Sequence, residues 1–172
     1  QRDRLCLVQL SDGNGDAHLI QFQPDQYNAP NLKHILGDPE ILKIFHFARF
    51  DIAAIKAYLN ISCSPVFCTR IASRLTRTYT EKHGLKDICA ELLNIEISKQ
   101  QQQSDWASTE LNTEQKKYAA ADVLYLHQLM EILRGRLERE NRIELAEACF
   151  EFLPYQAELD LLGWHNTDIF AH

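Results

Sequence analysis

Apolar and polar positions along the chain fall into short blocks, and each block predicts one element. Arg4 to Leu10 and Ala17 to Phe22 read as strands flanking Ser11-Asp12-Gly13-Asn14-Gly15-Asp16, which is a hairpin signal. After a connector from Pro24 to Pro30, Asn31 to Leu36 predicts a short helix ended by Gly37 and Pro39. Lys43 to Phe47 is a compact strand, and Ile52 to Leu59 a helical run, with Asp51 at the junction. Val66 to Cys68 is a brief buried strand leading into a helix that bears Arg70, Arg74 and Arg77 at i, i+4 and i+7. His83 to Lys86 opens a helix over Asp87 to Leu93, and a polar connector with four successive glutamines reaches Asp105. Trp106 then precedes a helix through Leu126, and further helices are predicted over Glu131 to Arg142 and Ile143 to Phe152. After Pro154 an apolar piece ends in Leu161-Leu162-Gly163-Trp164-His165-Asn166. A hairpin followed by alternating strands and helices predicts an α/β domain with a mixed sheet.

The helix around Lys117 to Leu126 stands out because it carries two costly side chains in an otherwise apolar, helix-forming run. Asn112 and Gln115 form the pattern of a capping box, which sets the phase so that Tyr118 and Asp122 project from one face. Val123, Leu126 and Met130 share an adjacent face and predict its anchor in a core. Three alanines between Tyr118 and Asp122 leave room for another backbone or a ligand. A lone Tyr-x-x-x-Asp is usually a core aromatic beside a solvated acid, so the pair needs support from elsewhere. Asp51 alone reads as an N-cap or first-turn acid serving its helix, and His46 as a core or rim histidine. The arginine stripe is ordinarily a solvated face. Asp12 and Asp16 are turn residues, since the spacing and terminal glutamate of a calcium loop are missing.

Composition narrows the options. The chain has 172 residues, 45% hydrophobic and 24% charged, which suits one domain with a sizeable core. No apolar run has the length of a membrane span. Five cysteines, Cys6, Cys63, Cys68, Cys89 and Cys149, are an odd number without zinc-ligand spacing, which suits reduced thiols and a cytoplasmic location. A net charge of −6 argues against a broad groove for long nucleic acid. A local basic patch or metal site can still hold a phosphodiester, so a short anionic substrate fits better.

In order and spacing, Phe47-Ala48-Arg49-Phe50-Asp51, Gly84-Leu85-Lys86, Ser104-Asp105-Trp106, Leu111-Asn112-Thr113-Glu114-Gln115 and Tyr118-Ala119-Ala120-Ala121-Asp122-Val123-Leu124-Tyr125-Leu126 resemble RNase D-like 3′-5′ exonucleases, over roughly residues 1 to 130. This is the tyrosine branch of the DEDD superfamily, so the resemblance implies an RNase H-like, DnaQ-like exonuclease fold. A narrower likeness is to the nanoRNase C branch. It rests on Arg2-Asp3-Arg4-Leu5-Cys6, Lys43-Ile44-Phe45-His46-Phe47, Cys68-Thr69-Arg70-Ile71-Ala72-Ser73, Leu75-Thr76-Arg77-Thr78-Tyr79-Thr80 and Leu159-Asp160-Leu161-Leu162-Gly163-Trp164. The expectation is one exonuclease domain over 1–172, with 131–172 a C-terminal helical extension and no HRDC domain. The superfamily's first motif, Asp-x-Glu, is not in this sequence. By the resemblance it belongs on a strand roughly ten residues before Gln1, so the chain is expected to be N-terminally truncated.

The resemblance implies hydrolysis of very short RNA, diribonucleotides above all, by a ring-like homo-octamer. It also implies two divalent ions, Mg²⁺ or Mn²⁺, held by carboxylates because hard cations select oxygen. Asp51 and Asp122 are the implied metal ligands, and Tyr118 orients the attacking water. Arg70, Arg74 and Arg77 are candidates for phosphate oxygens, and His83, Lys86, Gln103, Trp106 and His165 for a cap on the 5′ end, across a subunit contact. Two alternatives stay open: a general RNase D-like exonuclease on longer RNA or DNA, and an inactive nuclease-like binding or scaffold module.

Overall fold

The computed structural model describes residues 4–98, 100–101, 104–108 and 110–171. β1 (Leu7–Leu10) and β2 (His18–Gln21) form the expected antiparallel hairpin, with Val8 opposite Ile20 and Leu10 opposite His18. The Asp12 carboxylate accepts from the backbone and side-chain amides of Asn14 at 3.0 and 2.9 Å. Its oxygens therefore serve the turn, as such loop chemistry predicts. α1 (Pro30–Gly37) starts on a proline, whose missing N–H costs nothing in a first turn.

β3 (Lys43–Phe45) and β4 (Val66–Cys68) run parallel, with Ile44 opposite Phe67. The crossover between them is α2 (Ala48–Ala54), continued by a π-helical turn over Ile55–Leu59. α2 begins four residues earlier than the sequence pattern suggests, so Asp51 lies inside its first turn rather than at its boundary. The domain is α/β as expected, and among the described residues its strands form two two-stranded sheets, one antiparallel and one parallel.

Among the described residues five further α-helices follow: α3 (Thr69–Thr76), α4 (Leu85–Leu93), α5 (Thr113–Leu124), α6 (Leu126–Arg139) and α7 (Ile143–Leu159). α6 is the central post. Its Leu129, Leu133 and Leu137, four apart and each 0% exposed, pack among α3, α4 and α7. β4 is wholly buried, and its Phe67 ring lies 4.7 Å from that of Phe150 in α7. Residue 131, where the C-terminal helical extension is expected to begin, falls within α6.

Two helical boundaries differ from the pattern. Tyr125, at φ −105° and ψ −1°, separates α5 from α6 where a continuous helix is predicted. The break lets α5 lie against β1 and β2 while α6 enters the core, two directions a straight helix cannot combine. Pro154 sits inside α7 instead of ending it. Phe150, Leu153 and Ala157 are buried on one face across that proline, and their burial outweighs the roughly 3 kcal/mol an internal proline costs. A π-helical turn, Asp160–Trp164, follows. Among the described residues no helix is long and apolar enough to cross a membrane.

Candidate active site

The capping box predicted for α5 is present, with Gln115 N to Asn112 Oδ1 and Asn112 N to Gln115 Oε1 both at 2.9 Å. The Gln115 amide also donates to Ser104 Oγ at 2.9 Å and to the Asp105 carbonyl at 3.2 Å, which ties down the segment leading into Trp106. The Trp106 ring lies 5.8 Å from the Tyr118 ring. Ala119 is fully buried on the inner side of α5, and this phase leaves Tyr118 and Asp122 half-buried along a cleft of about 950 Å³.

β1, β3, the start of α4 and α2 form the other walls of the cleft, and α2 contributes Asp51. The sharp entry into α2 runs through Phe47 in the left-handed region, at φ +70° and ψ +45°. That conformation is strained for an aromatic residue, and it lies four positions from a site acid. Phe47 is braced by the Arg70 guanidinium, 4.7 Å from its ring centre, and by Phe50 at 4.9 Å.

Enclosure by protein pushes the Asp51 carboxyl up to about 7, against a backbone hydrogen bond that favours the charge, and the Asp122 charge adds to the rise. Asp51 nevertheless meets water through the cleft mouth. Burial raises Asp122 to about 6 and, together with the Asp122 charge, lifts the Tyr118 phenol above its ordinary range. Two carboxylates that resist ionisation in one cleft are suited to a cation. Both supply the hard oxygens that Mg²⁺ or Mn²⁺ selects, so the residues fit such an ion as two of its ligands. Among the described residues no group of three or more His, Cys, Asp or Glu side chains is gathered for a metal.

The substrate candidates separate in space. Lys86 is exposed and lines the cleft. Arg74 is exposed on α3, and Arg70 stacks on Phe47. Arg77 corrects the expected arginine stripe. α3 ends at Thr76, so the helical phase that would align the three arginines is lost at the third. Arg77 turns inward, 1% exposed, pairs with Glu91, and donates to Ser73 Oγ at 3.0 Å and the Lys82 carbonyl at 2.6 Å. Its hydrogen bonds hold Glu91 down to about 2. His83 is likewise buried, with Nδ1 2.9 Å from Ser73 Oγ. The exposed His165 accepts a bond from Arg49 on its backbone carbonyl at 3.0 Å. Gln103 lies outside the described residues.

His46, a core or rim histidine by its place on a strand, lines the cleft. Its Nδ1 is 2.9 Å from Thr69 Oγ1, which donates to the Phe45 carbonyl. Burial and the nearby Arg70 push the ring down to about 4, so it is neutral at physiological pH. The cysteines are free, and burial raises the Cys63 and Cys89 thiols to about 11, which makes them poor nucleophiles.

A profile of the 3′-5′ exonuclease family matches residues 1–138. Among solved structures, Brucella melitensis NrnC bound to pGG superposes with a TM-score of 0.95 at 57% identity, over 98% of this chain and 82% of that one. Brucella melitensis NrnC with bound Mg²⁺ gives a TM-score of 0.94 at 56% identity, over the same shares. A ribonuclease D of Gluconacetobacter diazotrophicus is 32% identical over 140 residues, covering 81% of this chain and 35% of that protein. The chain thus spans about a third of the length of the curated ribonuclease D relatives it matches. It belongs to the 3′-5′ exonuclease family, as an RNase D-like member related to NrnC.

Proposed function

We propose that this protein is a metal-dependent 3′-5′ exoribonuclease that hydrolyses very short RNA, above all diribonucleotides, to mononucleotides. The observation that carries the reading is the convergence of Asp51, from the first turn of α2, with Tyr118 and Asp122, from one face of α5, in a single cleft. The related NrnC binds pGG, and another structure of it holds Mg²⁺. The acidic balance of the chain and a cleft within the size range of small-ligand sites favour a short substrate over a long one.

Asp51 and Asp122 hold the divalent ions, Mg²⁺ or Mn²⁺. When bound, such ions make water nucleophilic near neutral pH and offset charge developing on the phosphate. Tyr118 keeps its proton at neutral pH, because burial and Asp122 both oppose ionisation, so it orients the attacking water rather than deprotonating it. Lys86, at the cleft wall, meets a phosphate oxygen, and Arg70 and Arg74 extend that contact.

Leu162, Trp164 and Phe170 are exposed near the end of the chain, and we assign them to a contact between copies in a homo-oligomer, with an octameric ring as the specific form. In that arrangement Trp106 and His165 close over the 5′ end of a substrate held by a neighbour.

Hydrolysis of a 5′-phosphorylated diribonucleotide, compared with that of a longer oligoribonucleotide in Mg²⁺, tests the reading. Faster turnover of the dinucleotide is expected. Equal rates across lengths would favour a general RNase D-like exonuclease, the activity named in the ribonuclease D relatives. No turnover of either, with binding intact, would make the protein a scaffold.

A further inference from the structure

Arg49 and Asp160 lie far apart in the sequence, yet they form a two-pronged ion pair. Arg49 Nε donates to Asp160 Oδ2 and Nη2 to Oδ1, both at 2.6 Å, and Nη2 also reaches the His165 carbonyl at 3.0 Å. Asp160 is 7% exposed, and its Oδ1 accepts a further bond from Gln156 at 3.1 Å.

The Arg49 charge is not placed to serve its own helix. Arg49 sits in the first turn of α2, where the helix dipole disfavours a cation, and Asp160 is the residue at which α7 passes into the π-helical turn Asp160–Trp164. The guanidinium therefore looks to Asp160 for its counter-charge, and its fork geometry fixes orientation as well as distance. Arg49 and Asp51 are two residues apart, roughly 200° around the helix, so a side chain anchored at the back of the turn sets the rotation of the acid at its front. The first turn has no side-chain cap to do this instead.

We infer that Arg49 and Asp160 are positioning residues for Asp51: by clamping the first turn of α2 to the end of α7, they fix where the Asp51 carboxylate stands in the cleft. This deepens the metal-dependent reading above and rests on it for its catalytic consequence. Nothing in the sequence signals the pair, because neither residue shares a helical or strand period with the other.

The test uses the full chain with Asp160→Asn, which keeps shape and loses charge, beside Asp160→Glu and Arg49→Lys, which keep charge and lose the fork geometry. For Asp160→Asn the expected result is a drop in kcat of about 10-fold with KM for the dinucleotide within about twofold, as a misplaced catalytic group produces. Mn²⁺ binding followed by calorimetry should weaken several-fold, and amide hydrogen exchange across residues 48–54 should speed up. The two charge-keeping variants should fall between Asp160→Asn and the parent. Parent-like kcat and Mn²⁺ affinity in Asp160→Asn would overturn the inference. If the parent itself neither turns over nor takes up Mn²⁺, the nuclease reading fails, and the clamp is then judged on exchange alone: faster exchange in the variant supports it and unchanged exchange overturns it. Should Asp160→Asn not fold, Arg49→Lys is judged by the same measurements.

Discussion

Asp122 on α5 stands close enough to Asp51 on α2 for its charge to raise the Asp51 carboxyl, which enclosure already pushes up to about 7. Burial alone lifts Asp122 to about 6. Both native-state values exceed the ordinary carboxylate range near 4. These two carboxyls therefore hold more protons in the folded than in the unfolded chain between about pH 4 and 7, and their contribution to metal-free stability falls as pH rises through that window, while the lowered His46 works in the opposite sense. Protons and divalent ions compete for the same oxygens. Mn²⁺ affinity should accordingly climb from about pH 5.5 to 7.5 and level off above, and Mg²⁺ should cancel the loss of stability at the upper end. Calorimetric titrations at several pH values, with melting curves in Mg²⁺ and in EDTA, check both; an affinity independent of pH would contradict the shared site.

Tyr118→Phe removes one hydroxyl and leaves the ring contact with Trp106 in place. Turnover of a diribonucleotide should fall by about 10²- to 10³-fold, the scale of a lost water-orienting group. Melting temperature and Mn²⁺ affinity should stay at the parent values. A variant with parental kcat would remove Tyr118 from the chemistry.

The parts of this site that could be read from the sequence are those encoded locally. The capping box at Asn112 and Gln115 fixes where α5 starts, and that start fixes the phase of Tyr118 and Asp122, six and ten residues beyond Asn112 and on one face. The hairpin was legible for the same reason, since its turn chemistry lies within six consecutive residues. Asp51 was harder, because its helix begins through a left-handed Phe47 that no propensity favours. Pro154 misled because tertiary burial of Phe150, Leu153 and Ala157 overrides a local breaker. Arg77 misled because one residue past the end of a helix the side chain leaves the helical phase, and only the position of Glu91 decides where it goes.

That difference separates two arginines of the same helix region. Arg77→Ala takes one donor from Glu91, which keeps Tyr79, and leaves the Lys82 carbonyl and Ser73 without the guanidinium; it should cost roughly 3 kcal/mol, the lower end for breaking a buried pair because Glu91 faces water. Arg74→Ala, on the surface, should change stability by less than about 0.5 kcal/mol. Denaturant unfolding measures both. Binding of a 5′-phosphorylated dinucleotide should weaken in Arg70→Ala and Arg74→Ala, and parental affinity in both would take them out of substrate contact.

Gln115 offers a way to disturb the site without touching its chemistry. It is 5% exposed, and its amide closes the capping box on one side while holding Ser104 Oγ and the Asp105 carbonyl on the other. Gln115→Leu keeps the volume but removes the donor and the acceptor together, so three polar groups lose their partner in a half-buried place. Leaving such groups unsatisfied costs about 1–3 kcal/mol. The loss should appear first in the segment that carries Trp106, because α5 retains the Asn112 side of its cap. With Trp106 less firmly held against Tyr118, tryptophan fluorescence should shift toward that of a solvated indole before global unfolding. Since the other tryptophan, Trp164, is already 46% exposed, the change reports mainly on Trp106. Fluorescence that stays parental up to the main transition would mean that Trp106 is held by its ring contact with Tyr118 alone, and the amide network would then serve α5 but not the site.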